Sequence, residues 1–425
     1  MIENTHTILS VAVIVSTVYF IFRNRIDFML LAFASNFVYH MHIIFGRIET
    51  GAYNFDPSPE SMHLLTIVFL VLVLVTIITD KIYYGVGGRN VVGYARHYRL
   101  YYDPIMKTMT LLSLLLTLLL IITNYNILFL GKAAMKQQAM PYIFIAATMM
   151  SAVSYLYFIY TRNIKMLYVS FLPIIFYVFI GTRAIAVVVI VSSLIIWFFN
   201  EKLLSKIGLK ILIYVCFLVI FFVIYKFSYI GIKSGDWSSI TSFTDLDNMQ
   251  YIIWQFYSAE WGQISSNLSL VAEQDLTDRY NFFHTIIEST PLVNKLFEID
   301  TVPSRFSATI SLYANPGYSY GLGGTFWGEM YQASGSYISV AISAVVIFII
   351  ISFMNYSIYK GIAWSPIILY LVGFMSFYLP RNDLQMLIAS FKNVFIVIVS
   401  TAIVILILKG KLKCSKSVAN IFLHR

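Results

Sequence analysis

The sequence predicts an all-α fold, a polytopic transmembrane bundle of about eleven helices with one large loop outside the membrane. Three observations carry this reading. Of the 425 residues, 59% are hydrophobic and only 12% are charged. A soluble domain carries about 25% charged residues, so this chain cannot cover a soluble surface of its size. Apolar runs near the ~20 residues needed to cross hydrocarbon recur along its length. The basic residues gather in short segments between those runs, as orientation signals do. A soluble enzyme, a disordered chain and a secreted disulfide scaffold are thereby excluded.

The runs cover residues 5–22, 27–46, 63–80, 105–124, 141–160, 165–180, 184–199, 211–230, 334–357, 363–380 and 388–408. The first has no basic segment ahead of it and no small-residue cleavage site behind it. It is therefore expected to be a retained helix rather than a signal peptide. The sixth and seventh are short, and a single broken helix is the alternative for that pair. Residues 231–333 form a connection of 103 residues with eleven acids and four bases (Lys233, Arg279, Lys295 and Arg305). Connections this long are usually functional. Tyr251 to Tyr257 and Phe282 to Ile287 within it could lie at the interface as helices. The chain thus divides into about eight helices over 1–230, the loop over 231–333, and about three helices with a basic tail over 334–425.

Charge tests this count. If the tail is cytoplasmic, the inside segments hold 18 of the 29 basic residues, from Arg23 and Arg25 through Lys81, Arg162, Lys202 and Lys360 to Arg425. Four acids share those segments: Asp27, Asp80, Asp103 and Glu201. Every inside segment is net positive, as the positive-inside rule requires, and the long loop falls on the outer face. The net charge of +9 is therefore an orientation signal and not a nucleic-acid surface. Cys216 and Cys414 form no disulfide framework and no metal spacing. No carboxylate-rich metal site is visible, and neither a metal nor a cofactor is expected.

Three arginines occupy informative places on the outer side. Arg183 closes Gly181-Thr182-Arg183 between two apolar runs. Arg381 follows Leu379-Pro380 and precedes Asn382-Asp383, and Arg305 follows Val302-Pro303-Ser304 in the loop. Arginine forks bidentately onto phosphate, and arginine at membrane depth is costly. Their convergence would suit a lipid-linked pyrophosphate. The plainer reading of Arg183 and Arg381 is interfacial anchoring. The stretch Gly321 to Tyr331 is the most distinctive, with four glycines, Trp327, Tyr331 and the acid Glu329 at the point where the chain enters lipid. Glu329 could deprotonate a sugar hydroxyl, and Tyr320, Trp327 and Tyr331 could stack on sugars. An aromatic belt explains the rings equally well, but not Glu329. His284 and Asp383 are the alternative bases. His284 reads more simply as a packed residue, and Asp383 as a partner of Arg381. His40, His42 and Arg47 at the outer end of the second run could line a phosphate path or merely be interfacial. Lys226 and Lys392 add positive field there or snorkel. Gly85 to Arg99 fits no phosphate-loop template and reads as a basic loop.

Gly181-Thr182-Arg183, the glycine–Glu329 stretch and Pro380-Arg381-Asn382-Asp383, together with the late outer loop, resemble the Wzy-type O-antigen polymerases. The resemblance in layout covers most of the chain, while its motifs are short. It implies a GT-C-like glycosyltransferase of the bacterial inner membrane, acting at the periplasmic face on undecaprenyl-pyrophosphate-linked glycans. It also implies a chain-length regulator and a flippase as partners. Arg183, Arg305 and Arg381 would then grip the donor pyrophosphate. An O-antigen ligase shares this fold class and substrate and is the first alternative. A flippase or transporter is the second, and the absence of repeats and of mid-membrane charges argues against it.

Overall fold

The computed structural model describes residues 2–50, 53–84, 99–123, 141–180, 184–199, 201–205, 261–273 and 325–408, with a few single residues between them. Elements are numbered among these. The helices are α1 (Ile2–Arg23), α2 (Phe28–Tyr39), α3 (Met41–Ile44), α4 (Pro59–Tyr84), α5 (Arg99–Thr123), α6 (Pro141–Tyr160), α7 (Ile164–Phe179) and α8 (Ala184–Trp197). They continue with α9 (Gln263–Glu273), α10 (Phe326–Gln332), α11 (Tyr337–Lys360), α12 (Ser365–Phe377) and α13 (Leu384–Leu408). One short antiparallel hairpin among the described residues, β1 (Ile48–Thr50) with β2 (Tyr53–Phe55), stands beside an otherwise all-helical fold, as the all-α expectation has it.

Among the described residues, six helices are long and apolar enough to cross a membrane: α1, α4, α5, α6, α11 and α13. The helices α2, α7, α8 and α12 are apolar but shorter. Ten of the eleven apolar runs are thus helical, and the run 211–230 lies largely outside the described residues. The exposed faces are those of a membrane protein. Phe22, Ile122 and Phe395 are 82%, 76% and 69% exposed, which water would penalise and lipid does not. Inside, hydroxyls satisfy themselves on the preceding turn, as Thr66 does on the Met62 carbonyl and Thr76 on that of Leu72.

The second apolar run breaks at His40 into α2 and α3. The sixth and seventh runs are two helices and not one broken one. The start of α7 follows directly from the end of α6, and the later part of α8 returns to that same end, where Ser193 lies beside Tyr155. The helices α7 and α8 therefore run in opposite directions.

Contacts gather the basic segments at one end of the bundle. The Ile26 amide donates to the Glu201 carbonyl at 3.0 Å, and that of Leu204 to Asn24 Oδ1 at 2.7 Å. The Tyr157 hydroxyl donates to Asp103 at 2.5 Å. Tyr83 and Tyr356 stack with centroids 4.5 Å apart. The other end is covered by α9, which was not foreseen. Ile264, Leu268, Val271 and Ala272 form its buried face, and it packs on α10, β1 and the start of α4.

Candidate functional site

Among the described residues, two polar constellations are built into the bundle, one at each end. The first surrounds α10. Thr325 caps that helix, its hydroxyl accepting from the Gly328 amide at 2.9 Å. A Cβ on Gly328 would stand 2.6 Å from the Thr325 hydroxyl and 3.0 Å from Val271 Cγ1, so any side chain there must displace the capping hydroxyl. Trp327 and Glu329 leave α10 fully buried. The Trp327 indole N–H donates to Asn36 Oδ1 at 2.8 Å, tying α10 to α2. Glu329 Oε2 accepts from the backbone amide of Leu384 at 2.5 Å, tying α10 to the start of α13. A carboxylate at a helix N-terminus satisfies an orphan amide and meets the positive end of the helix dipole.

The turn leading to Leu384 carries the motif Pro380 to Asp383. Leu379–Arg381 form one turn of 3₁₀ helix. The Arg381 guanidinium lies over the Tyr378 ring, 5.5 Å from its centroid. Asn382 Nδ2 donates to the Tyr378 carbonyl at 2.7 Å. Asp383, 2% exposed, accepts from the Met386 amide at 3.0 Å and so caps α13. The fold thus brings Glu329 to the segment holding Arg381 and Asp383, across more than fifty residues of sequence.

The remaining sequence-derived residues fare differently. Trp327 sits in the core, T-shaped against Phe326 and tilted against Phe348. No face of its ring is open to stack on a sugar. Tyr331 is partly exposed and packs on Tyr337, with centroids 5.2 Å apart. Arg47 is exposed, whereas His40 and His42 are buried. Arg183, Arg305, His284, Tyr320 and Lys226 lie outside the described residues. Among the described residues, no three His, Cys, Asp or Glu side chains are placed to hold a metal ion.

The second constellation escaped the sequence reading. Arg23 forks onto Asp27 at 2.9 and 2.5 Å and onto Asp80 at 2.6 and 3.1 Å. Asp27 is fully buried; it also caps α2 through the Leu30 amide and accepts from Asn355 Nδ2 at 3.1 Å. Asn355 in turn accepts from the Phe28 amide at 3.1 Å. One guanidinium thereby joins α1, α2, α4 and α11. The guanidinium is paired with two carboxylates, which is how a buried charge becomes tolerable. The chain matches no family model, no curated protein and no solved structure.

Proposed function

We propose that the chain is a membrane-embedded polymerase that joins undecaprenyl-pyrophosphate-linked oligosaccharide repeat units at the periplasmic face of a bacterial inner membrane. The observation that carries the proposal is the meeting of Glu329 with the Arg381–Asp383 turn, at the end of the bundle away from the basic segments. That end is where an outward-facing reaction would occur in a positive-inside membrane protein.

In this reading, an acceptor sugar hydroxyl forms a bond to the anomeric carbon of the donor glycan. The bond from that carbon to the pyrophosphate oxygen breaks, and the lipid pyrophosphate leaves with the electron pair. Arg381, with Arg183 and Arg305, stabilises the negative charge that grows on the departing oxygen, more in the transition state than in the ground state. Glu329, fully buried as the bundle stands, takes the hydroxyl proton once the site opens to substrate, with His284 and Asp383 as the alternatives. Tyr320 and Tyr331 remain the candidates for sugar stacking, and Trp327 acts by fixing α10.

Deletion of the gene, followed by electrophoresis of the lipopolysaccharide, tests the reading. Loss of the ladder with one repeat left on the core is expected. A core bearing no repeat would overturn polymerase in favour of ligase. An unchanged ladder would remove both.

A further inference from the structure

His40 stands where α2 ends and α3 begins. Its backbone is satisfied: the N–H donates to the Asn36 carbonyl at 3.2 Å, and its own carbonyl accepts from Ile43 and Ile44 at 3.0 and 3.1 Å. Its ring is not. The residue is fully buried, and among the described residues neither Nδ1 nor Nε2 has a hydrogen-bond partner. Buried polar groups are almost always paired, so an orphaned imidazole demands a reason in its surroundings.

Those surroundings are the first constellation. Asn36, one turn earlier on α2, holds the indole of Trp327, and Glu329 lies two residues further along α10. The ring of Tyr39, beside His40, packs against Phe377 at 5.8 Å, just before the Arg381 turn. Above the junction lies α9. Trp261 packs on Tyr39 at 5.0 Å, and the Ser265 hydroxyl approaches the Tyr39 carbonyl at 3.5 Å. Ser269 of α9 holds Ser58 through two bonds, at 2.7 and 3.2 Å. A neutral imidazole offers one donor and one acceptor, and here both are unused. A sugar hydroxyl likewise donates and accepts, whereas a phosphate oxygen only accepts. The ring therefore matches a hydroxyl better than the pyrophosphate.

We propose that His40 is a sugar-recognising residue, whose ring takes a hydroxyl of the lipid-linked glycan once α9 lifts from the end of α2. This rests on the polymerase reading and adds a glycan contact to it. The test uses purified full-length protein and two probes. One is the lipid-linked repeat unit extracted from the deletion strain, and the other is sugar-free undecaprenyl pyrophosphate.

His40→Leu should keep or raise the thermal midpoint, because it removes two orphaned polar atoms without leaving a partner behind. It should weaken binding of the sugar-bearing probe about tenfold, the order expected for one or two hydrogen bonds, and leave the sugar-free probe unaffected. His40→Gln, which keeps a donor and an acceptor, should recover part of the loss. Normal binding of both probes by His40→Leu overturns the assignment and leaves the polymerase reading standing. So does an equal loss for both probes with a lowered midpoint, which marks a packing role. If the wild type binds neither probe, both readings fall. In a background lacking Cys216 and Cys414, a Ser58→Cys/Ser269→Cys disulfide should pin α9 and weaken sugar-bearing probe binding until it is reduced. Equal binding in both states overturns the lifting of α9.

Discussion

The two ends of the bundle differ in the weight they place on charged pairs and on caps. At the basic end, side chain meets side chain: Arg23, Asp27, Asp80 and Asn355 bind one another and clamp four helices together. At the other end, the Trp327–Asn36 pair apart, side chain meets backbone. Thr325, Glu329, Asn382 and Asp383 each bond to a main-chain group. A closed network of charges fixes helix positions and tolerates no missing member. Caps fix the local turn, while the ring of His40 has no hydrogen-bond partner among the described residues. The contrast predicts that stability is concentrated at the basic end, and that the opposite end can be altered with smaller structural loss.

The largest loss is expected from Arg23→Ala. Its side chain is 5% exposed and that of Asp27 fully buried, so removing the guanidinium leaves an uncompensated buried carboxylate beside a second one. Breaking a buried pair in this way costs about 3–5 kcal/mol. The thermal midpoint in detergent should fall steeply, while turnover per folded molecule stays near normal. An unchanged midpoint would mean that the network contributes nothing. A normal midpoint with lost turnover would make the basic end a functional site and break the contrast.

A smaller loss is expected midway between the ends, where the interaction is purely steric. A Cβ on Gly373 of α12 would lie 1.8 Å from the Ser192 hydroxyl and 3.0 Å from its Cβ on α8. The hydroxyl can rotate away, but the Cβ cannot. Gly373→Ala should therefore cost about 1–3 kcal/mol. Adding Ser192→Gly should restore most of it, a coupling measurable in a double-mutant cycle. Failure of the second change to rescue the first would show that the α8–α12 crossing is not set by this contact.

Much of the bundle was legible from hydropathy, because a lipid-crossing helix must be apolar along its length. Helix ends were less legible. The run starting at 105 begins as a helix at Arg99, six residues earlier, with Pro104 inside the helix rather than at its start. The break at His40 has no proline or glycine to announce it. The helix α9 is short and lies inside a polar loop, and only its pattern of Ile264, Leu268, Val271 and Ala272 could have revealed it. Arg23, Asp27 and Asp80 were visible as charges near helix ends, but their pairing joins positions 57 residues apart. An orientation rule that counts bases and neglects acids hides such a network. At the other end, the glycine–Glu329 stretch and the Arg381 turn were each legible. Their connection was not, because Glu329 binds the backbone of Leu384, and an amide has no signature in residue type.

The smallest loss of stability is expected from Glu329→Gln, and it bears most directly on the contrast. Glutamine keeps an oxygen that can accept from the Leu384 amide, so the link between α10 and α13 survives. What is lost is the negative charge at the helix N-terminus, worth about 0.3–1 kcal/mol. Glu329→Ala removes the acceptor as well and should lower the midpoint further. If Glu329 is the base, Glu329→Gln should cut turnover by ~10²- to 10⁴-fold with the fold intact, since an amide cannot take the hydroxyl proton. If it serves only to hold the Arg381 turn, Glu329→Gln should turn over nearly as wild type, while Glu329→Ala loses stability and activity together. Thermal midpoint and turnover per folded molecule, measured on the same purified samples, separate the two. Near-wild-type turnover in Glu329→Gln would remove it as the base and leave it a positioning residue, with His284 and Asp383 next to be tested.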